Sequence, residues 1–551
     1  MASAAPLRLE VQFVADDANG RGDRSGSDAN ALPEDDTPPA RMPSPSILFD
    51  ASDAPPAIAE PAPDYFADLL LDRIVASVTA GRADHGVGPH FRAPLKSVGA
   101  VAYRQKVFRD LENRALLDRV RSFSASMRSV RGHLDHAART DYPRDRARWL
   151  LVGAEIYCRA VADLADGLTL VKPRSRGFRA LRDHLVAYTA SGPFAELLGD
   201  TQRVEADLRA IAYDVHISGR RIGVDRSSSE PDYGDEVRRA FSRFSRGAVR
   251  HQRFPSTGSS DMNHVEAAIL DLVARLRPGA FASLARYQER HRDFLDETVR
   301  RFDDEVQFYL AYLEFMDRYT SVGLPFCYPE VADGATGIHG RGVFDLALAA
   351  SLASENRSVV TNEFHLSGPE RILVVSGPNQ GGKTTFARSI GQLFHLASIG
   401  CPVPGTSATV PLVDRILVHF EREEDLGALS GKLEDDLRRM HRILELATPD
   451  SLVVMNESFG STTLSDALLL NREILQQIIE RRVVCVAVTF LDELSSLSEA
   501  TVSMVSAVDP DDPSVRTFRI VRKPADGLAY AWAIAEKHGL TFDRVVERVA
   551  R

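Results

Sequence analysis

The feature that most constrains this chain is a short apolar segment that runs directly into a glycine-rich loop. Residues 371–376 have the pattern of a buried strand, and a helical pattern starts near Phe386. The nine residues between them are Gly377, Pro378, Asn379, Gln380, Gly381, Gly382, Lys383, Thr384 and Thr385. Glycines allow successive backbone N–H groups to curl around phosphate, and a helix N-terminus adds positive potential. The order strand, loop, helix therefore predicts a P-loop that binds ATP through these nine residues.

A second apolar strand supplies the expected partners of this loop. Residues 451–455 are followed by Asn456 and Glu457. In the predicted site Lys383 bridges the β and γ phosphates, the Thr384 hydroxyl binds Mg²⁺, and Glu457 orients or deprotonates the attacking water. Position 456 would ordinarily be an Asp that helps to hold Mg²⁺, whereas the amide of Asn456 brings no negative charge. We therefore expect Mg²⁺ to be held by Thr384 and Asn456, with weakened affinity and slow hydrolysis.

The rest of the chain has the pattern of several domains, as its length of 551 residues allows. The patterns predict a disordered segment (1–62), a helical domain (63–202), a β-rich insert (203–255), further helices (256–330) and an α/β sheet domain (331–551). Alternation over 208–217 and 221–225 around Ser218 and Gly219 predicts a hairpin. Apolar spacing of three and four predicts one long helix from Phe281 to about Tyr319, with its stripe read as core. Residues 7–13 alternate like a lone strand.

Composition narrows the class of protein further. The net charge of −10 argues against a generally basic binder, although a local basic face is enough for DNA. The four cysteines lie far apart, which predicts reduced core thiols. The sequence shows neither an apolar run of membrane length nor a secretory signal, so we expect a cytoplasmic protein.

The glycine-rich loop and its flanks resemble the MutS mismatch-repair family. The loop looks like that family's P-loop variant with Pro-Asn and a double glycine. Residues 360–366, 399–404 and 414–416 are similar to its flanking segments, as are Gly527–Tyr530 and Gly539-Leu540 near the end. More weakly, 104–108 resembles the start of its helical core. The resemblance implies an ABC-type ATPase domain over 331–551, a clamp-like insert over 203–255 and lever helices over 256–330. It further implies DNA clamping on ATP binding, in mismatch repair or related recombination.

The sequence departs from the family at several positions. Only disordered-looking sequence precedes the helical core, where mismatch-finding members carry a wedge domain. Asn456 replaces the family's Asp, and Phe490 aligns with a His that follows the third strand. Ser458–Thr462 replaces the usual Gly-Arg-Gly-Thr run. These departures imply slow turnover or a branch with another role.

The resemblance also implies a dimer, either of two copies or with a paralogue, whose ATP site is completed by a serine of the partner. Ser430, just before a predicted helix from about Leu433, is the candidate for this catalytic role. A plain N-cap is the other interpretation.

Arginines in and near the predicted insert could contact DNA phosphates. The candidates are Arg220, Arg221, Arg239, Arg243 and Arg246. A solvated helix face is the competing interpretation, since acidic residues lie close by.

Three functions fit this pattern. The first is an ATPase that dimerises and clamps duplex or branched DNA when ATP binds. The second is a nucleotide-gated scaffold with negligible hydrolysis that recruits other proteins, which Asn456 and Phe490 favour. A chromosome-type clamp ranks last, because it would need far longer coiled-coil arms.

Overall fold

The fold is seen in a computed structural model that describes residues 9–12, 45–50, 62–218, 221–226, 264–334, 337–353, 355, 357–421, 431–512 and 515–525. The α-helices in these ranges are α1 (Tyr65–Asp68), α2 (Leu71–Thr79), α3 (Val98–Leu111), α4 (Arg114–Arg139), α5 (Pro143–Val171), α6 (Arg176–Thr189), α7 (Gly192–Arg209), α8 (His264–Leu276), α9 (Pro278–Arg290), α10 (Glu297–Thr320), α11 (Leu346–Ala353), α12 (Lys383–Ser398), α13 (Lys432–Leu446) and α14 (Leu464–Glu480).

The strands form four sheets within the same ranges. They are β1 (Leu9–Gln12), β2 (Tyr213–Ser218), β3 (Arg221–Arg226), β4 (Phe326–Cys327), β5 (Glu330–Ala332), β6 (Ile338–Val343), β7 (Asn362–Leu366), β8 (Ile372–Ser376), β9 (Val403–Pro404), β10 (Ser407–Pro411), β11 (Ile416–Phe420), β12 (Leu452–Asn456), β13 (Val484–Val488), β14 (Thr501–Val508) and β15 (Arg516–Arg522). Helices and mixed sheets together confirm the predicted combination of a helical part and an α/β part.

The chain divides into two compact units that are each discontinuous in sequence. The first comprises Met1–Ser44, Arg114–Lys172 and Arg182–Arg300, and the second Pro45–Asn113, Pro173–Leu181 and Arg301–Arg551. None of the helices in the described part of the chain combines the length and apolar character needed to span a bilayer. The four cysteines are free thiols, three of them buried.

The long helices α4 and α5 form the core of the first unit. On α4 the buried apolar residues recur every three or four positions, which places them on one face: Leu116, Val120, Phe123, Met127 and Val130. The backbone of α5 approaches α4 at Gly167, where an added Cβ would lie 3.2 Å from the side chain of Arg119. A small residue at this point therefore permits the close packing of the two helices.

The predicted hairpin is present, but it begins later than expected. Strands β2 and β3 pair with Val215 opposite Val224, and β1 pairs with the other edge of β3. The strand predicted from residue 208 is wrong over 208–212, because α7 continues to Arg209 and is supported there by an ion pair of Arg209 with Glu205 at 2.5 Å. Residues 9–12 do form a strand, although it pairs with β3 and is not isolated.

The single long helix predicted over 281–319 is also wrong, because two helices occupy this region. Helix α9 ends at Arg290 and α10 begins at Glu297. Asp296 ends the gap between them as an N-cap, since its Oδ1 accepts a hydrogen bond of 3.0 Å from the Val299 amide. The apolar stripe on α10 is buried at Val299, Phe302, Val306 and Leu310 and partly buried at Leu313 and Met316, which supports its interpretation as core.

A six-stranded sheet, in the order β11-β12-β13-β8-β14-β15, organises the second unit. The first five strands are parallel, and β15 pairs antiparallel with β14 at one edge. One face packs on α13 and α14 through a cluster that includes Met440, Ile474 and Val453. Helix α12 packs on β12 and β13. Because β8, β12 and β13 lie in the middle of the sheet, they are apolar along almost their whole length.

A short piece of the segment expected to be disordered is folded into the second unit. Ile47 and Leu48 are buried, and the amide of Ile47 donates to the Glu305 carboxylate at 2.7 Å. The Tyr309 hydroxyl donates to the Ile47 carbonyl at 2.6 Å, and Arg104 Nε donates to the Leu48 carbonyl at 3.2 Å. Residues 45–50 are thus held to α10 and α3. The rest of the expected disordered segment, apart from 9–12 and residue 62, lies outside the described residues.

Candidate functional site

Three neighbouring strands of the large sheet end at the same level. Val375 of β8 is opposite Val488 of β13, which in turn is opposite Asn456 of β12. Because the strands are parallel, the segments that follow them leave the sheet at one edge. This register brings the 377–385 loop, Glu457 and Phe490 together from three distant parts of the sequence.

The 377–385 loop has a backbone that only glycine accommodates at its critical points. Gly377 and Gly382 have φ of +112° and +88°. A Cβ on Gly381 would overlap Oγ of Ser506, a β14 residue that donates a hydrogen bond of 2.8 Å to the Gly381 carbonyl. Strand β14 therefore supports the loop directly, and α12 starts immediately after it with its N-terminus at the loop.

Lys383 is buried at the start of α12, with its ammonium group inside the loop. Its Nζ donates to the carbonyls of Gly377 at 3.0 Å and Pro378 at 3.1 Å. Burial lowers the pKa of Lys383, while the negative charge of Glu457 opposes that shift. The arrangement places one fixed cation where a phosphate held by the loop amides would carry its charge.

Thr384 and Asn456 face each other across the end of β12. The Thr384 hydroxyl donates to Asn456 Oδ1 at 2.8 Å. A hydroxyl and an amide carbonyl are hard oxygen ligands of the kind that Mg²⁺ accepts, although this pair contributes no charge. The donor chemistry of Thr384 and Asn456 therefore fits a magnesium ion, which these two residues would hold.

Glu457 follows Asn456 in a strained conformation. Its φ is +51°, in the left-handed region that residues other than glycine seldom adopt, and its amide donates to the Val488 carbonyl at 2.9 Å. Burial raises the pKa of the Glu457 carboxyl, Lys383 opposes this, and Glu421 adds to it. A carboxylate with a raised pKa is a better proton acceptor, which suits it to act as a general base.

Phe490 occupies the position beyond β13. The residue is 51% exposed, and the centroid of its ring lies 4.4 Å from Lys383 Nζ. The sequence indicated only that a polar side chain is replaced here. It gave no sign that the ring lies against the loop lysine.

Sequence reasoning missed several residues that surround the loop. Arg516 of β15 donates from Nε to the Asn379 carbonyl at 3.2 Å. Asn362 bonds the backbone of β15 twice, at Phe518 (3.1 Å) and Ile520 (2.7 Å). A cavity of about 420 Å³ beside the loop is lined by Asn362, Phe518 and residues of α11, among others. No motif marks these positions, because strand pairing alone brings them to the loop.

The remaining candidate residues are not brought into this site by the described structure. Arg221 lies exposed on β3, opposite Ser218. Outside the described residues lie Ser430, Arg220, Arg239, Arg243, Arg246 and the C-terminal segments at 527–530 and 539–540. Gly431, next to Ser430, is the N-cap of α13, which starts at Lys432.

The fold and the arrangement of residues at the ends of β8, β12 and β13 define an α/β domain with a site built on a glycine-rich loop. Comparison with known proteins agrees with this description. Residues 373–550 match MutS domain V. The chain is 24% identical over 306 residues to the DNA mismatch repair protein MutS of Thermotoga petrophila, covering 54% of this chain and 37% of that protein. It is 30% identical over 188 residues to MutS of Shouchella clausii, covering 33% of this chain and 22% of that protein.

A eukaryotic relative shows the same extent of similarity. The chain is 30% identical over 183 residues to the DNA mismatch repair protein MSH4 of Arabidopsis thaliana, covering 33% of this chain and 22% of that protein. The similarity to MutS proteins thus covers 33% to 54% of this chain. The chain spans between 22% and 37% of the length of these relatives.

Proposed function

We propose that this chain is an ATPase of the MutS type that clamps DNA when ATP binds, in mismatch repair or related DNA repair and recombination. The observation that carries the proposal is the convergence of Lys383, Thr384, Asn456 and Glu457 at one sheet edge, inside the region that matches MutS domain V. The proposed nucleotide site comprises residues 377–385. ATP and Mg²⁺ are the proposed cofactors.

Each residue of the edge has a proposed part in hydrolysis. The loop amides bind the phosphates, and Lys383 neutralises charge that builds up on the β and γ phosphates. Thr384 and Asn456 would hold Mg²⁺, which supplies further neutralisation of the phosphates when bound. Glu457 accepts the proton of the attacking water, a role supported by its raised pKa and its position beside Lys383. The uncharged Asn456 makes turnover slow.

We propose that two such chains, or this chain and a paralogue, complete the site across a dimer. Ser430 precedes α13 and would contact the γ-phosphate bound to the partner. In this proposal 331–551 is the ABC-type ATPase domain, with a helical core (63–202), a clamp-like insert (203–255) and lever helices (256–330). The protein would act in the cytoplasm, associated with the nucleoid when bound to DNA.

We propose that the clamp-like insert contacts the DNA backbone without reading bases. Arg220, Arg221, Arg239, Arg243 and Arg246 would neutralise phosphates, and binding should weaken steeply with salt. The exposure of Arg221 on β3 is compatible with this role.

A second candidate function is a nucleotide-gated scaffold that binds ATP, hydrolyses it negligibly and recruits partner proteins. Two observations favour it. The Thr384–Asn456 pair carries no negative charge, and a phenylalanine ring rather than a polar group lies at Lys383.

Steady-state ATP hydrolysis by the full chain separates these candidates. It should be measured without DNA and with matched, mismatched and branched duplexes, beside Glu457→Gln as the matched control. DNA-stimulated hydrolysis that disappears in Glu457→Gln supports the clamp ATPase. Nucleotide binding without Glu457-dependent hydrolysis would replace it by the scaffold, and no nucleotide binding at all would refute both.

A further inference from the structure

The Lys383 ammonium group is surrounded by three partners. It has three N–H donors. Two of them point to the carbonyls of Gly377 and Pro378, at 3.0 and 3.1 Å. The Phe490 ring faces the same Nζ, with its centroid at 4.4 Å. The negative face of an aromatic ring attracts a cation at this distance. The lysine is therefore fully engaged by the protein itself.

The ring and the terminal phosphate of a nucleotide would compete for the same side of Lys383. A phosphate oxygen needs to lie about 2.8 Å from Nζ in a charge-assisted hydrogen bond. A ring whose centre is 4.4 Å away leaves no room for that oxygen between them. The backbone of Glu457 lies beside the segment that carries the ring, because the Glu457 amide donates to the carbonyl of Val488, two residues before Phe490. The γ-phosphate must lie on this side, since Glu457 would activate the water that attacks it.

We propose that Phe490 is a specificity-determining residue that makes the site favour nucleoside diphosphates over triphosphates. A diphosphate is held by the loop amides, with Lys383 neutralising its β-phosphate from the loop side, and leaves the ring on the other side of Nζ. A triphosphate has to displace the ring before its last phosphate reaches Nζ. The inference rests on the proposed nucleotide site, and it adds a preference that the loop motif does not predict.

The side chain of Phe490 can move while its backbone stays in place. The residue is about half exposed, so rotation of its side chain breaks few packing contacts. The backbone on either side is fixed, because the Leu491 amide donates to Thr489 Oγ1 at 3.0 Å and the Leu491 side chain is buried. The displacement is therefore a local rotation of one side chain. It makes the position of the Phe490 ring depend on whether a third phosphate is bound.

The test is equilibrium binding of ADP and ATP, with Mg²⁺, to full-length protein. Every variant carries Glu457→Gln so that ATP is not consumed. Phe490→Ala removes the ring, Phe490→Leu keeps bulk but loses the aromatic face, and Phe490→Tyr is the matched control that keeps the ring. We expect the ratio of the Kd for ATP to the Kd for ADP to fall about tenfold in Phe490→Ala, as expected when a partly desolvated cation–π contact is removed. Phe490→Leu should be intermediate, and Phe490→Tyr should match the parent.

Failure of the inference and failure of the proposed function give different results. An unchanged ratio in Phe490→Ala, with both nucleotides still bound, overturns the role of Phe490 alone. Absence of binding of either nucleotide to the parent and to all variants overturns the nucleotide site, and this inference with it. A thermal unfolding curve for each variant verifies that the fold is intact.

Discussion

The hydroxyl of Thr384, in the first turn of α12, donates to the amide oxygen of Asn456, the last residue of β12, at 2.8 Å. The contact brings together the two proposed metal ligands, and both of their side chains are uncharged. A carboxylate in place of the amide would preserve the geometry and add one negative charge beside the ion.

Asn456→Asp is therefore expected to tighten Mg²⁺ binding. The concentration of Mg²⁺ that gives half-maximal hydrolysis should fall about tenfold, which corresponds to about 1.4 kcal/mol for one charge-assisted ligand. Titration of hydrolysis with Mg²⁺ measures the change. Thr384→Val, which removes the hydroxyl, should shift the same curve to higher Mg²⁺. Equal Mg²⁺ titration curves for Asn456→Asp and the parent would show that the side chain at position 456 does not contribute to Mg²⁺ binding.

Hydrolysis should depend on pH through Glu457. A general base works only when deprotonated, and burial holds the pKa of this carboxyl above its usual range. The rate is therefore expected to rise with increasing pH through that raised pKa and then level off. A pH–rate profile at saturating ATP and Mg²⁺ measures it. Glu457→Gln should abolish the rising limb. A flat profile in the parent would assign proton transfer to another group.

Gly381 should be intolerant of any side chain. A Cβ there would overlap Oγ of Ser506 and lie 3.1 Å from its Cβ. We expect Gly381→Ala to reduce ATP affinity on the order of a hundredfold, about 2.8 kcal/mol, by displacing the loop from β14. Isothermal titration with nucleotide measures the loss. Ser506→Gly removes both contacts and should partly restore binding in the double variant. A double variant no better than Gly381→Ala would place the damage elsewhere in the loop.

His395 in α12 should make the fold acid-sensitive. It is fully buried, with Nε2 2.8 Å from the Phe91 carbonyl and Nδ1 3.2 Å from the Tyr65 hydroxyl. Burial lowers its pKa from 6.5 to about 4. Between these values the unfolded chain binds a proton that the folded chain does not, so stability falls as pH drops from 6.5 to about 4. A full shift of this size corresponds to about 3 kcal/mol.

Urea unfolding at pH 7 and pH 5 tests this expectation. His395→Gln removes the titrating group and should show a smaller loss of unfolding free energy between the two pH values than the parent. The same loss in both proteins would mean that other groups, such as the partly buried His90, carry the acid sensitivity.

Sequence patterns predicted those parts of the molecule that are formed by contiguous residues. Strand β8 with its loop and helix, the strand ending at Asn456 and the hairpin turn at Ser218 all carry local signals. Arg516 and Ser506 could not be predicted beside the loop, because β14 and β15 reach it through pairing across the sheet. The break before α10 depends on one N-cap, Asp296, which an otherwise continuous apolar stripe obscured. Ser430 and the arginines of the insert other than Arg221 stay predictions.

The anchoring of residues 45–50 decides where this protein can be cut. A boundary drawn from composition would fall near residue 63, just after the stretch rich in Pro and Asp. A chain shortened there would lose three donors to the Glu305 carboxylate, from Ser46 Oγ and the amides of Ile47 and Leu48. It would also lose the Leu48 carbonyl that accepts from the fully buried Arg104. Two buried charges would then face apolar surroundings without those partners, at a cost of several kcal/mol. A shortened version of the second unit therefore has to retain residues 45–50, although the composition around them is that of a dispensable tail.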